Sequence, residues 1–482
     1  MVRVKQTAHK SVAGYAHYLK VKKDSLTPVK PVVDDNPAEE NPAPEERKEI
    51  EKATDALKNM EQGRNVNDTS VIYSTDSNGT NSFGGSLSLE ERKSFFQYDG
   101  SREISCGFLS PQDTGFKVSS KDRQAMDSCR GLVVVSAIFG AYDKLRQPRH
   151  VKKITAQSVC FFMFVDQETL ESLAHNNIRP DEFHKIGLWR VVLVTSLPYN
   201  TSVMNGVIPK HLIHRIFPNS IYSIWVDAKL QLVVDPFIIL DALLIRKNGS
   251  MAIAKHPYNI HTMEEAIFTV RWHKWNKQAV LHQMESYCKE GLQPWNPSKL
   301  PFDSDVPDTG LILRKHEIAT NLFSCLLFNE LEAFNPRDQL AFAYVRDMMS
   351  PKPVISMFEV GVYNSITSEY RHNILVKKES MVNNLADTHL QESIISLGQK
   401  SACQNYLNTM WDNYLFNNFY KCQNIRGSIS IQPDEEAEIS WPVFLYPASY
   451  GPEKYRLRQG MAMENSSSIF SSHRSDISNY IQ

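Results

Sequence analysis

The chain has 482 residues, 42% of them hydrophobic, and a formal net charge of −1. That length and apolar content suit one large core with appendages, and the near-neutral balance gives no basis for a global attraction to nucleic acid or an anionic membrane. No apolar run approaches the roughly 18 to 20 residues that span a bilayer, and residues 1–23 lack a signal-peptide core, so the chain as given reads as soluble.

Residues 1–100 read as a disordered, stem-like region. From residue 24 they are rich in Pro, Glu, Lys, Asn, Ser and Gly, with a short helical candidate at 44–62. Such a segment buries too little apolar area to offset its ordering entropy. From Cys129 short β-rich runs alternate with amphipathic stretches, the texture of an α/β domain whose mostly parallel sheet is covered on both faces. Strands are predicted at 132–139, 159–165, 189–194, 221–226, 251–254 and 311–313. Helices are predicted at 210–217, 236–246, 262–288, 317–329 and 337–347. A helical extension at 376–425 and a loosely ordered tail at 426–482 follow the 101–375 domain.

In open α/β sheets, ligands bind beyond the carboxyl ends of the strands, so those ends hold the candidate chemistry. The first strand ends in Phe139-Gly140-Ala141-Tyr142-Asp143, where small residues let backbone approach a ligand; an ordinary strand-to-loop turn is the plainer reading. The run from Lys144 to Lys153 carries five cations in ten residues, suited to steering an anion or to a solvated loop. Asp166 closes the second strand. The apolar run 220–226 ends abruptly in Asp227-Ala228-Lys229. There Asp227 either organises charge or serves structurally, by capping the Asp235-Pro236 helix or pairing with Lys229. Lys255-His256 offers a cation and an imidazole after the next strand. Asp308-Thr309-Gly310 reads as a turn whose carboxylate and hydroxyl can bond sugar hydroxyls. Asp338 opens a helix, where it either complements the dipole or contacts substrate. Trp272, His273 and Trp275 suit either a sugar-stacking platform or packing against the sheet.

Seven cysteines, Cys106, Cys129, Cys160, Cys288, Cys325, Cys403 and Cys422, show no Cys-x-x-Cys pair and no zinc spacing, so they read as structural thiols; in an oxidising lumen an odd count leaves one without an internal partner. Sequons at Asn67, Asn78, Asn200, Asn248 and Asn465 are compatible with a luminal life. Gly-x-Ser-x-Gly, P-loop and His-Glu-x-x-His patterns do not occur in the sequence, which leaves hydrolases of those types without residue-level support.

Seven segments in order, Gly131 to Leu145, Phe161 to Asp166, Trp225 to Leu232, Lys255-His256-Pro257, Asp308 to Arg314, Asn335 to Gln339 and Glu369-Tyr370-Arg371-His372-Asn373, resemble the plant glycosyltransferase-like family founded on the turgor-regulation-defect and mucilage-related proteins. The resemblance implies a Rossmann-like domain of the GT-A type, acting as a hexosyltransferase from a nucleotide sugar, such as a UDP-sugar, to a cell-wall polysaccharide of the pectin or mucilage type. It also implies a Golgi location behind an N-terminal anchor that this chain does not show, and a place in a Golgi glycosyltransferase complex. One branch of the family is described as an alkaline ceramidase, and a non-catalytic Golgi scaffold is the third reading. In the transferase reading Tyr142, Asp143 and Asp166 hold the nucleoside, and Lys255 and His256 lie near the diphosphate. Asp308, Thr309 and Gly310 face the acceptor, and Asp338 contacts the acceptor or the departing phosphate. Sugar transferases place an Asp-x-Asp where this chain has Asp227-Ala228-Lys229. Asp227 would then organise the diphosphate directly or through Mn²⁺ or Mg²⁺, with Lys229 supplying a point cation in place of the second acid.

Overall fold

The computed structural model describes residues 71–74, 82–107, 115–271, 274–370 and 372, with isolated positions at 48, 50–52, 55 and 403. All of these fall within one compact unit, Lys48–Gln482. The expected helical extension and tail lie outside the described residues apart from Cys403, as do Trp272 and His273.

Among the described residues, eight strands form one sheet in the order β3-β4-β2-β1-β5-β8-β7-β9. They are β1 (Gly131–Ile138), β2 (Cys160–Val165), β3 (Lys185–Ile186), β4 (Trp189–Leu193), β5 (Ser220–Val226), β7 (Met251–Lys255), β8 (Pro307–Lys315) and β9 (Ile355–Phe358); β6 (Leu230–Leu232) pairs separately with β10 (Thr367–Glu369). Neighbours β4-β2-β1-β5 and β7-β9 run parallel, while β8 runs antiparallel to both β5 and β7. The α/β class with a mostly parallel sheet is thus the class found. Alternate residues of β1 serve two cores: Val133 and Val135 join one apolar cluster, Leu132 and Val134 the other. That two-sided burial is why the strands read as continuous apolar runs.

The reversal of β8 matters most for the site. Because β8 is antiparallel, its first residues lie where β5 and β7 end: Leu311 pairs with Val226, and Asp308 with Ala254. The predicted strand 311–313 is therefore too short, and Asp308, Thr309 and Gly310 are strand residues, not a turn. Gly310 is needed for packing, since a Cβ there would lie 2.7 Å from the Tyr363 hydroxyl and 3.0 Å from Leu230.

Other expectations are corrected locally. The helix predicted over 262–288 is two helices, Thr262–Arg271 and Lys277–Lys289, because Asn276 caps the second by accepting from the amides of Gln278 and Ala279. The helix predicted at 210–217 begins earlier, at Ser202–His211 (α1 here), behind a Thr201 cap, and is followed by a separate turn, Ile213–Ile216. Part of the segment read as stem packs on the domain: Phe83, Phe95 and Phe96 are buried in the larger cluster, and the Arg92 guanidinium pairs with buried Glu330 at 2.9 Å. Those aromatics are enough to anchor a segment whose average composition looks disordered. Disulfides join Cys106 to Cys325, Cys129 to Cys160 and Cys288 to Cys403, correcting the structural-thiol reading. The partners lie 219, 31 and 115 residues apart, so local spacing could not show them. Cys422 lies outside the described residues.

Candidate functional site

The carboxyl ends of β1, β2, β5 and β7 and the start of β8 share one edge of the sheet. At the β1 end, Gly140 and Ala141 adopt φ of +67° and +52°. Gly140 is required there, since a Cβ would meet the Ser202 hydroxyl oxygen at 2.7 Å. Asp166 holds this turn in place. Its Oδ2 accepts from the Gly140 amide at 2.7 Å while its Oδ1 accepts from the Thr169 amide at 2.9 Å, so both oxygens bond the chain's own backbone. The result is to present Tyr142, substantially exposed, and Asp143. Asp143 lies 2.9 Å from His372 Nδ1, and the Tyr142 and His372 rings lie 4.7 Å apart. Arg146, from the cationic run, stacks its guanidinium 4.2 Å from the Tyr370 ring centroid and donates to the Ala228 carbonyl at 3.0 Å, so this run is not simply a solvated loop.

At the β5 end the Asp227 amide donates to the Gly310 carbonyl at 2.8 Å. Asp227 Oδ1 accepts from Trp225 Nε1 at 2.7 Å and from Lys210 Nζ at 3.4 Å. Lys210 stands in the last turn of α1 with its side chain 11% exposed, and its Nζ also meets Asp338 Oδ2 at 2.8 Å. The Thr309 hydroxyl donates to Asp338 Oδ1 at 2.8 Å, and His211 Nε2 lies 3.4 Å from Asp338 Oδ2. Asp338 is thus a buried hub. Burial raises its pKa, but the Lys210 ammonium and the His211 contact hold it well below the usual carboxylate range. Burial pushes the His211 imidazole down to about 4, outweighing Asp338. For Lys210 the penalty of burial is outweighed by Asp227 and Asp338, which keep it charged.

Lys229 does not hydrogen-bond Asp227. Its Nζ donates to Glu369 Oε1 at 2.8 Å, a pair with one exposed partner. Nor does Asp227 cap the helix at Pro236; Asp235 does, accepting from the Phe237 amide at 2.9 Å. Lys255 is buried between Asp303, at 2.5 Å, and Glu359, which already neutralise its charge. His256 Nδ1 accepts from the Asn259 amide at 2.9 Å, and its Nε2 lies 3.6 Å from Glu265. Burial lowers the His256 pKa against the opposing pull of Glu265. Asp308 is raised by burial, against the Gly310 amide and Lys229.

The residues around Asp227 do not fit a chelated divalent ion. A carboxylate oxygen offers about two lone-pair sites, and the Trp225 and Lys210 donors take both on Oδ1, leaving Oδ2. Burial raises the Asp308 pKa and so disfavours the charged carboxylate that a second ligand would supply. Among the described residues, the group of three ligand atoms close enough for one ion is Cys106, His214 and Cys325, within 4.8 Å of one another. It does not include Asp227, and its two sulfurs are joined in a disulfide.

Sequence reasoning did not single out Lys210, His211, Glu369 or His372, although the segment carrying the last two is among the matched motifs.

Residues 66–372 match the family described as TOD1/MUCI70, glycosyltransferase-like domain. Two Arabidopsis thaliana proteins are similar. One, named alkaline ceramidase TOD1, is 47% identical over 351 residues, covering 68% of this chain and 75% of its own length. The other, named probable hexosyltransferase MUCI70, is 42% identical over 286 residues, covering 58% of this chain and 49% of its own length. Among solved structures, apo mouse xyloside xylosyltransferase 1 aligns with a TM-score of 0.28 and 10% identity over 47% of this chain and 85% of its own, a likeness too slight to carry argument.

Proposed function

We propose that this chain, which belongs to the TOD1/MUCI70 glycosyltransferase-like family, moves a hexosyl unit from a nucleotide sugar to a cell-wall polysaccharide of the pectin or mucilage type. The observation that supports this reading best is the meeting of Tyr142 with Asp143, Asp227 with Lys210, and Asp308 along one sheet edge. Tyr142 would stack on the base and Asp143 bond the ribose. Asp227 would orient the diphosphate end of the donor through the donors it shares. As the bond between sugar and diphosphate breaks, negative charge grows on the departing phosphate, and fixed cations at that point lower the barrier most. Asp308, its pKa raised by burial and set beside Lys229 and His256, would receive the acceptor hydroxyl. Thr309 and Asp338 would support this arrangement from behind, because both are consumed in the buried network. Golgi residence and assembly with other transferases belong to the same proposal. No helix among the described residues is long and apolar enough to cross a membrane.

The name of one relative favours a second reading, amide hydrolysis of a sphingolipid. That chemistry needs an activated water or nucleophile, and the group of residues nearest to a metal site has its thiols oxidised to a disulfide. The test is a thermal-shift panel of UDP- and GDP-sugars beside a ceramide hydrolysis assay. Stabilisation by one nucleotide series without ceramide turnover is expected; ceramide turnover with no nucleotide response reverses the assignment.

A further inference from the structure

We infer that Lys210 is the resident cation of this centre and that it meets the donor diphosphate in place of a chelated divalent metal, an inference that rests on the transferase reading above. Three observations carry it. First, Lys210 is fixed. Val207, Ile208 and Pro209 before it are buried, and its ammonium is held between Asp338 Oδ2 at 2.8 Å and Asp227 Oδ1 at 3.4 Å. Asp338 is itself held by Thr309 and His211, so the cation is preorganised, as transition-state charge stabilisation requires. Second, it retains capacity. An ammonium has three donors, and these two carboxylates account for two, leaving one for a phosphate oxygen. Third, of the lysines at this edge Lys210 is the one whose ammonium pairs directly with Asp227; Lys229 feels the charge of Asp227 but pairs with Glu369, and Lys255 pairs with Asp303 and Glu359. The cation that makes up for the missing second acid of an Asp-x-Asp pair thus comes from a helix 17 residues upstream of Asp227, not from position 229.

Calorimetry on the full chain with UDP and with uridine, each in EDTA and in Mn²⁺, tests this for wild type, Lys210→Met, Lys210→Arg and the charge-balanced Lys210→Met/Asp338→Asn, whose folding is checked by melting. The double variant covers the case in which Lys210→Met leaves its buried carboxylates unpaired and fails to fold. Wild-type UDP affinity in EDTA is expected within about threefold of that in Mn²⁺. Loss of Lys210 should weaken UDP by roughly tenfold or more while uridine changes by less than about twofold, with Lys210→Arg intermediate. UDP binding that requires Mn²⁺, or that survives intact in the folded Lys210→Met or double variant, overturns the assignment and leaves the transferase reading standing. No binding by wild type in either buffer of UDP, or of GDP where the thermal-shift panel selects the guanosine series, overturns that reading and the assignment with it.

Discussion

His372 Nδ1 lies 2.9 Å from the Asp143 carboxylate, joining two segments 229 residues apart. The same imidazole packs on Tyr142 with ring centroids 4.7 Å apart, so one side chain covers both residues proposed to hold the nucleoside. Tyr370 secures the segment, its amide donating to the Lys229 carbonyl and its hydroxyl to Gln231, both at 2.9 Å.

A nucleoside that stacks on Tyr142 must displace His372. The ring contact is worth roughly 0.5 to 1.5 kcal/mol, and the partly exposed pair adds little. His372→Ala is therefore expected to tighten uridine and UDP alike, by about three- to tenfold in titration calorimetry. Weaker binding in this variant would mean that the imidazole touches the nucleotide rather than competing with it.

Asp227→Asn tests the centre of the edge. The amide keeps an oxygen for the Trp225 indole, and Lys210 keeps Asp338, so the melting temperature should hardly move. Turnover should fall by roughly a hundredfold or more, since the charge that orients Lys210 toward the donor is lost. Full activity in the folded variant would place the chemistry elsewhere.

Much of this edge was legible in the sequence, and the reasons for the remainder are physical. A strand buried on both faces announces itself as an apolar run, so β1, β2 and β5 and the residues at their ends could be located. Asp227 is selected for that reason, whereas Asp308 is read from the sequence as part of a turn whose carboxylate can bond a sugar hydroxyl. What the pattern does not carry is direction: nothing in Leu311-Ile312-Leu313 says that β8 runs against β5, and that reversal is what places Asp308 beside Asp227. Lys210 was hidden differently. The sequence pattern starts its helix at residue 210, whereas Lys210 stands in the last turn of α1, and its burial follows from packing against a strand end and a helix start, Asp227 and Asp338. The Lys229–Glu369 and Asp143–His372 pairs depend on a segment that returns across the edge from far along the chain.

Acid should loosen the fold through His211. Its folded pKa is depressed to about 4 from an ordinary 6.5, so as pH falls from 6.5 toward 4 the unfolded chain takes up a proton that the folded chain refuses. Stability is therefore lost in that window, by up to about 3 kcal/mol. His214, also lowered by burial, adds in the same direction, and Asp338 does so below its ordinary 3.8. Asp308, raised, works oppositely just above 3.8. The midpoint of urea unfolding should fall between pH 6.5 and 4.5, with a shallower fall in His211→Gln. An identical slope in the two proteins would show that His211 titrates normally in the folded state.

The last expectation concerns where the domain begins. A chain starting at residue 101 would lack Phe83, Phe95 and Phe96, each buried in the main cluster and each worth roughly 3 to 5 kcal/mol on truncation to Ala. It would also lack Arg92, leaving Glu330, 1% exposed at its side chain, as a buried carboxylate without that partner. Removing one member of such a pair costs about 3 to 5 kcal/mol. These losses together reach or exceed the upper part of the roughly 5 to 15 kcal/mol by which domains are stable, so this chain should fail to fold cooperatively. A chain starting at residue 48 retains all four side chains and Ile50, which is buried in the second cluster, and should melt within a few degrees of the full-length protein. Arg92→Leu in the full-length protein separates the two contributions: a loss near 3 kcal/mol assigns that share to the ion pair, and the remainder of the 101-start defect to the aromatics. Cooperative, full-length-like melting of the chain from 101 would return residues 82–100 to the stem.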